Sequence, residues 1–112
     1  MINPNVKIYV AGHNGLVGNA IVRELKKKGY KKILVANRQK LDLTNQFSVI
    51  RFLKKNKPGF IFLTAAKVGG IYSNNKYKAD YLYENLAIQS NVINGAYLSG
   101  IKNLIFLGSS CV

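Results

Sequence analysis

Residues 6–18, with the sequence VKIYVAGHNGLVG, decide the fold of this chain of 112 residues. Residues 6–11 are apolar and rich in β-branched and aromatic types, which predicts a buried strand. Three glycines follow at once, Gly12, Gly15 and Gly18, and the apolar residues after them have helical spacing. A strand, a glycine turn and a helix in this order are typical of a site where free backbone N–H groups at a helix start meet a dinucleotide's pyrophosphate.

Each glycine of the turn has its own physical role. Gly12 permits the tight turn, Gly15 allows the backbone to approach a phosphate, and Gly18 allows the helix to pack closely on the strand. We therefore predict that the whole turn contacts a cofactor, through Gly12, His13, Asn14, Gly15, Leu16, Val17 and Gly18. The alternative is a flexible turn between strand and helix that binds nothing.

The chain continues as strands alternating with helices. We predict strands over residues 6–11, 32–36, 60–65 and 103–107, and helices from Leu16 to about 28, over 45–56 and over 79–100. Gly29 is the expected stop of the first helix and Thr44 a candidate cap of the second. The apolar spacing marks one face of the first helix, formed by Leu16, Val17, Ala20, Ile21 and Leu25. In the third helix it predicts buried residues at Leu82, Leu86, Ile88, Val92, Ile93 and Ala96.

This alternation predicts an α/β fold, a Rossmann-type doubly wound parallel sheet that is truncated after the fourth strand. Right-handed crossovers suggest the strand order third, second, first, fourth. The fourth strand is then expected to be a bare apolar edge.

The end of the second strand distinguishes between the two nicotinamide cofactors. Enzymes that use NAD usually carry an acidic residue there, whereas this chain has Asn37 and Arg38. Arg38 is suited to pair with a 2′-phosphate, which favours NADP, although a surface arginine at a strand end is the alternative. Asp42 and Leu43 are candidates to flank the adenine, and Asp42 is equally suited to cap the second helix.

Composition narrows the class of protein without choosing its ligand. The net charge of +13 would attract any anion, but the lysines cluster at the predicted helix ends, where cations complement the helix dipole. A basic nucleic-acid-binding protein is the alternative, without a recognition-helix or stacking-aromatic signature to support it. We expect no nucleic-acid partner, no membrane partner and no metal. The single cysteine and the lack of a signal or membrane span favour the cytoplasm.

Several further segments carry a family resemblance that goes beyond the glycine turn. They are AAKVGGI at 65–71, NN at 74–75, YENL at 83–86, QSNVI at 89–93 and FLGSSC at 106–111. Together they resemble the GDP-L-fucose synthases, members of the extended short-chain dehydrogenase/reductase family. The resemblance covers the chain from Lys7 to Val112. It implies that the chain, 1–112, is the amino-terminal part of an NADP-binding Rossmann domain whose remainder and substrate-binding part are absent.

The resemblance also implies an activity and its residues. The family converts GDP-4-keto-6-deoxy-D-mannose to GDP-L-fucose by epimerisation and NADPH-dependent reduction, as a homodimer. Ser109 matches the residue that hydrogen-bonds the keto group and Cys111 an acid/base of the epimerisation, while Asn85 matches a supporting helix position. Further matches to cofactor-contacting positions are Ala65, Ala66, Lys67, Leu107, Gly108, Ser109 and Ser110.

From the residues alone, these roles stay open. Cys111 is equally a small buried hydrophobic residue, and Ser109 and Ser110 are equally turn residues. In the family, a Tyr-x-x-x-Lys pair lies downstream of the Gly-Ser-Ser-Cys segment, and residues 1–112 do not include this downstream pair. We therefore expect the 112-residue chain alone to be inactive. Another nucleotide-sugar epimerase or reductase, or a non-catalytic nucleotide-binding remnant or subunit, are the alternatives.

Overall fold

The computed structural model describes residues 4–13, 15–64 and 75–106, with the backbone alone for residues 75–82. These residues form strands β1 (Lys7–Ala11), β2 (Lys32–Leu34), β3 (Phe60–Leu63) and β4 (Leu104–Phe106) and helices α1 (Leu16–Lys27), α2 (Gln46–Asn56) and α3 (Asn75–Leu98). The strands form one parallel sheet. Each predicted element is therefore present and the α/β class is confirmed, although α3 begins at Asn75 and not at residue 79.

The strand order is β2-β1-β3-β4, so the predicted order of third, second, first, fourth is wrong. β1 pairs with β2 on one side and with β3 on the other. The reason is burial: Ile61 of β3 is fully buried, like Ile8 and Val10 of β1, and such strands need cover on both faces. β2 begins with an exposed lysine, Lys32, and its other residues are half-buried, which suits an edge. The expected edge position of β4 is confirmed within the described sheet.

The helices lie on opposite faces of the sheet. α1 contacts β1 and β2, whereas α2 and α3 pack against each other on the other face. Because the chain moves from β1 to β2 in one direction and from β2 to β3 and β4 in the other, right-handed crossovers require this arrangement. The predicted doubly wound fold is therefore confirmed.

The main core lies between the sheet and the α2–α3 pair. Tyr9 and Ile61 of the central strands contact Leu53 of α2 and Val92 of α3, and all four side chains are almost fully buried. The Tyr9 ring lies 5.0 Å from the Phe52 ring, centroid to centroid. Burial raises the pKa of the Tyr9 phenol, so this side chain stays neutral and packs as an aromatic core residue.

The apolar face of α1 is largely exposed in the described part of the chain. Leu16 is 88% exposed and Val17 53%, and Ala20 is exposed as well, while Ile21 and Leu25 are half-buried. The buried residue of α1 is Gly18, because the helix approaches the sheet through its glycine, where it packs on β1 and β2.

The predicted buried face of α3 is right in part. Ile88, Val92 and Ala96 are buried at successive helical turns. Leu86 and Ile93 are 54% and 46% exposed, since they lie on another face of the helix, and the Leu82 side chain falls outside the described residues.

The helix ends follow local chemistry. Gly29, as predicted, follows the end of α1 with a positive φ of 92°, a conformation that glycine adopts without strain. Asn45 caps α2 by accepting a hydrogen bond from the Ser48 N–H, so the prediction of Thr44 as the cap is wrong. Lys7 Nζ donates to the Asn56 carbonyl at 3.0 Å, which places a cation at the negative end of α2.

None of the helices described is long and apolar enough to cross a membrane.

Candidate functional site

A cavity of about 280 Å³ lies at the carboxyl ends of β1 and β3. From these two neighbouring strands the chain departs in opposite directions, to α1 on one face and to α3 on the other. A doubly wound sheet opens its binding crevice at such a point. The lining comes from the glycine turn, the segment after β2, the end of β3 and α3, and consists of Gly12, His13, Gly15, Ala36, Asn37, Arg38, Leu41, Asp42, Leu43, Thr44, Thr64, Glu84 and Ile88.

The glycine turn forms the wall of the cavity next to α1. Gly12 has a φ of 90°, and the Gly15 N–H donates to the Gly12 carbonyl at 3.0 Å, which closes the turn. A Cβ on Gly18 would lie 2.0 Å from the Gly12 carbonyl oxygen, closer than any side chain tolerates. A Cβ on Gly15 would meet that oxygen at an ordinary 3.4 Å. Gly18 is therefore needed for the packing of α1, whereas the space at Gly15 belongs to the cavity.

The positive end of α1 points to this turn. Its N-cap, Gly15, makes no side-chain capping bond, and its first turn carries no acidic residue. In any α-helix the first N–H groups have no acceptor within the helix, so here the peptide groups of Leu16 and Val17 are positioned to meet an anion. This end of the helix fits a phosphate group.

Thr64 ties the glycine turn to β3. Its hydroxyl donates to the Ala11 carbonyl at 2.6 Å, and its N–H donates to the same oxygen at 2.9 Å. The hydroxyl oxygen would also lie 2.8 Å from a Cβ on Gly18. Thr64 thus holds the end of β1 at the place where the chain turns into α1.

The opposite wall is the segment of residues 37–45 after β2. Asn37 starts a turn in which its side chain accepts the Lys40 N–H at 2.9 Å, and this turn presents Arg38 at the cavity. Further on, Asp42 Oδ1 accepts hydrogen bonds from the Thr44 N–H and hydroxyl. Asp42 therefore organises the loop instead of capping α2.

Helix α3, which is distant in the sequence, contacts the segment of residues 37–45. Asn91 Nδ2 donates to the Leu43 carbonyl at 2.9 Å. Glu84 Oε1 lies 3.9 Å from Arg38 Nη2 in an ion pair. The hydrogen bond from Asn91 thus ties the loop to α3 beside the cavity.

Comparison with known proteins identifies the family. The family model of the NAD dependent epimerase/dehydratase family matches residues 8–112. The chain belongs to this family.

Relatives within the epimerase/dehydratase family include nucleotide-sugar enzymes. The chain is 51% identical over its full length to a protein of Arabidopsis thaliana named putative GDP-L-fucose synthase 2, of which it covers 34%. A GDP-mannoheptose C4 reductase of Campylobacter jejuni, solved with NADP bound, matches 96% of the chain with a TM-score of 0.90 and 44% identity, over 34% of that structure. A GDP-L-fucose synthetase of Naegleria fowleri, also bound to NADP, matches 99% of the chain with a TM-score of 0.83 and 27% identity, over 36% of that structure. The chain thus spans about a third of the length of these relatives.

The structure brings together part of the predicted cofactor set. Gly12, His13, Gly15, Arg38, Asp42 and Leu43 line the cavity. Leu16 and Val17 do not line it, because their side chains point to solvent. Gly18 does not line it because it is buried where α1 packs on the sheet, and Asn85 is half-buried on α3 without lining it. The remaining predicted residues fall outside the described part of the chain; these are Asn14, Ala65, Ala66, Lys67, Leu107, Gly108, Ser109, Ser110 and Cys111.

Sequence reasoning missed several cavity residues. Thr64 was detectable in principle, as a polar residue directly after a buried strand. Glu84 and Ile88 carry no local signal, because they reach the cavity only through the packing of α3. Among the described residues, no group of three or more His, Cys, Asp or Glu side chains is placed to hold a metal.

Substitution of Gly18 and Gly15 by alanine tests which of the two glycines the fold requires and which one only leaves space in the cavity. Gly18→Ala is expected to lower the free energy of unfolding by about 2 kcal/mol or more, because the new methyl group meets backbone and cannot be accommodated by rotation. Gly15→Ala is expected to change it by no more than about 1 kcal/mol. Urea denaturation followed by circular dichroism measures both, and equal destabilisation by the two variants would contradict this assignment.

Proposed function

We propose that the cavity binds NADP in an NADPH-dependent nucleotide-sugar epimerase/reductase. The observation that carries this proposal is that the glycine turn, including the N-cap Gly15 of α1, and Arg38 line one cavity. A phosphate-binding turn and a cation for a 2′-phosphate are the two features that NADP requires of a Rossmann domain. Two relatives whose structures contain NADP support the same cofactor.

In this proposal, different residues of the chain contact different parts of the cofactor. The pyrophosphate lies on the turn of residues 12–18, against the first N–H groups of α1. Arg38 pairs with the 2′-phosphate, and Leu43 and Asp42 flank the adenine. Ala65, Ala66 and Lys67 follow β3 in the sequence and, by resemblance, lie beside the nicotinamide ribose, with Leu107, Gly108 and Ser110 completing the cofactor contacts after β4.

We propose that Ser109 and Cys111, both in the Gly-Ser-Ser-Cys segment, carry the chemistry. NADPH, when bound, supplies the hydride that reduces a C4 ketone. Ser109 donates a hydrogen bond to the ketone oxygen and stabilises the negative charge that develops there. Cys111 moves a proton at carbon atoms next to the ketone during epimerisation, and Asn85 supports the site from α3.

The remainder of the enzyme lies outside these 112 residues in this proposal, since the chain spans about a third of its relatives. The chain is then the amino-terminal part of the NADP-binding domain of a cytoplasmic enzyme. The proposed substrate is GDP-4-keto-6-deoxy-D-mannose, which the enzyme converts to GDP-L-fucose. A second candidate is the reduction of a GDP-linked 4-keto heptose, which the 44% identity to the Campylobacter jejuni heptose reductase favours.

We propose further that two copies of the protein associate through α3. Its outer face carries Tyr83, Leu86, Ile93 and Tyr97, which are 76%, 54%, 46% and 80% exposed. Their spacing of three, seven and four residues places them in one stripe along the helix. An apolar stripe of this kind on a second helix face is suited to pack against its own copy.

Loss of Arg38 is expected to weaken NADP binding selectively. In the protein at its natural length, Arg38→Met should raise the Kd for NADP⁺ about 10- to 100-fold, since a charge-assisted hydrogen-bond partner is lost. The Kd for NAD⁺ should change by less than about twofold, because NAD⁺ lacks the 2′-phosphate. Isothermal titration measures both constants. Lys102→Met, which removes the same charge outside the cavity, is the control, and equal weakening of both nucleotides would contradict the role of Arg38.

Activity assays separate the two candidate substrates. The protein at its natural length, with NADPH, is expected to convert GDP-4-keto-6-deoxy-D-mannose to GDP-L-fucose, detected by mass spectrometry and chromatography. Ser109→Ala should lower kcat about 100-fold or more, because it removes a hydrogen bond made to the developing oxyanion, whereas Ser90→Ala on the exposed face of α3 should not. Turnover of a GDP-linked 4-keto heptose alone would establish the second candidate instead.

The dimer proposal predicts a change of mass in solution. Leu86→Glu combined with Ile93→Glu should convert a dimer to a monomer in sedimentation equilibrium, because two charges would be buried without partners in the contact. Phe47→Glu, on the 75% exposed Phe47 of α2, should leave the dimer intact. A wild-type protein that is monomeric at micromolar concentration would contradict the proposal.

A further inference from the structure

The ion pair between Arg38 and Glu84 crosses the rim of the cofactor cavity. Arg38 stands in the turn after β2 and Glu84 on α3, and both line the cavity. Arg38 Nη2 lies 3.9 Å from Glu84 Oε1, with the two side chains 61% and 31% exposed. The guanidinium group proposed to receive the 2′-phosphate thus already faces a carboxylate.

The neighbouring acidic residue has a different task. Asp42 also lines the cavity, but its Oδ1 accepts the N–H and the hydroxyl of Thr44 at 3.0 and 2.6 Å. Among the salt bridges of the described residues, the one that involves Arg38 is made by Glu84. The ion-pair partner of Arg38 at the cavity is thus a residue of α3.

A phosphate and a carboxylate compete for the same donors. The guanidinium fork matches a carboxylate and a phosphate equally well in shape. A solvent-exposed ion pair at 3.9 Å is weak, so a doubly charged phosphate displaces it at a modest free-energy cost. NAD, which has hydroxyl groups only at this ribose, leaves the pair intact.

We propose that Glu84 is a specificity-determining residue of the cofactor site. Its carboxylate competes with the 2′-phosphate of NADP for Arg38 and lowers the preference for NADP over NAD below the preference that Arg38 alone would give. The inference rests on the proposed function, because it takes the cavity to be the cofactor site.

The test is a double-mutant cycle on nucleotide affinity. Wild type, Glu84→Gln, Arg38→Met and the double variant, each at the length the host makes, are titrated calorimetrically with NADP⁺ and with NAD⁺. Glu84→Gln keeps the shape of the side chain and removes its charge. It should tighten NADP⁺ about two- to fivefold, the range of an exposed ion pair, and leave NAD⁺ unchanged. In the Arg38→Met background the same change should give a clearly smaller gain.

Glu24→Gln is the matched control, since it removes the same charge from an exposed residue of α1 that does not line the cavity. Weaker NADP⁺ binding by Glu84→Gln would overturn the inference, because Glu84 would then orient Arg38 for the phosphate. An equal gain for both nucleotides, or an undiminished gain without Arg38, would overturn it too, because the effect would be one of general charge. A wild type that binds neither nucleotide overturns the proposed function and this inference with it, and is recognised before any variant is compared.

Discussion

The close approach of α1 to the end of β1 is the contact on which the rest of the site depends. It requires that residue 18 have no Cβ, because the Gly12 carbonyl oxygen occupies the space that a methyl group would take. The approach places the amino-terminal end of α1 beside the cavity wall that Gly12, His13 and Gly15 form. Thr64, which follows β3, donates two hydrogen bonds to the Ala11 carbonyl and so ties the end of β3 to the end of β1 where the turn begins.

The second wall of the cavity is positioned by tertiary contacts and not by the glycine turn. α3 lies on the face opposite to α1, and from there Asn91 holds the Leu43 carbonyl while Glu84 faces Arg38. The phosphate-binding turn is a property of one short segment. The region where the adenosine ribose is proposed to lie depends on two segments that are distant in the sequence, which allows the choice between cofactors to vary without any change to the turn.

Several of the positively charged residues that the structure describes lie away from this cavity. Lys7 and Lys32 begin strands, Lys27 and Lys55 lie in the last turns of helices, and Lys102 precedes β4. Strand starts and helix ends of a parallel α/β sheet lie at the edge opposite to the cavity. There the lysines complement helix dipoles, as Lys7 does at Asn56. Lysines at helix ends and strand starts thus carry part of the net charge of +13, and the cofactor recognition proposed above rests on Arg38 and the turn.

The sequence by itself determined the local structure of this protein. The apolar runs, Gly12, Gly18 and Gly29 predicted the strands, the turn and the end of α1, because each depends on residues within one helical turn or one strand. The family resemblance followed from segments that are contiguous in the chain. Leu41 and Leu43, by contrast, gave no sign that their segment would reach the core beneath α3.

Only the tertiary structure decided the strand order, the exposed faces of the helices and the position of the second cavity wall, which residues 37–45 form. The order β2-β1-β3-β4 depends on which strands need cover on both faces, a comparison between elements that no single element contains. Leu16 and Leu86 have the apolar spacing of core residues but lie at exposed positions, because burial depends on what packs opposite them. Glu84 reaches Arg38 for the same reason: α3 is placed by its packing against α2, and packing is a property of the assembled fold.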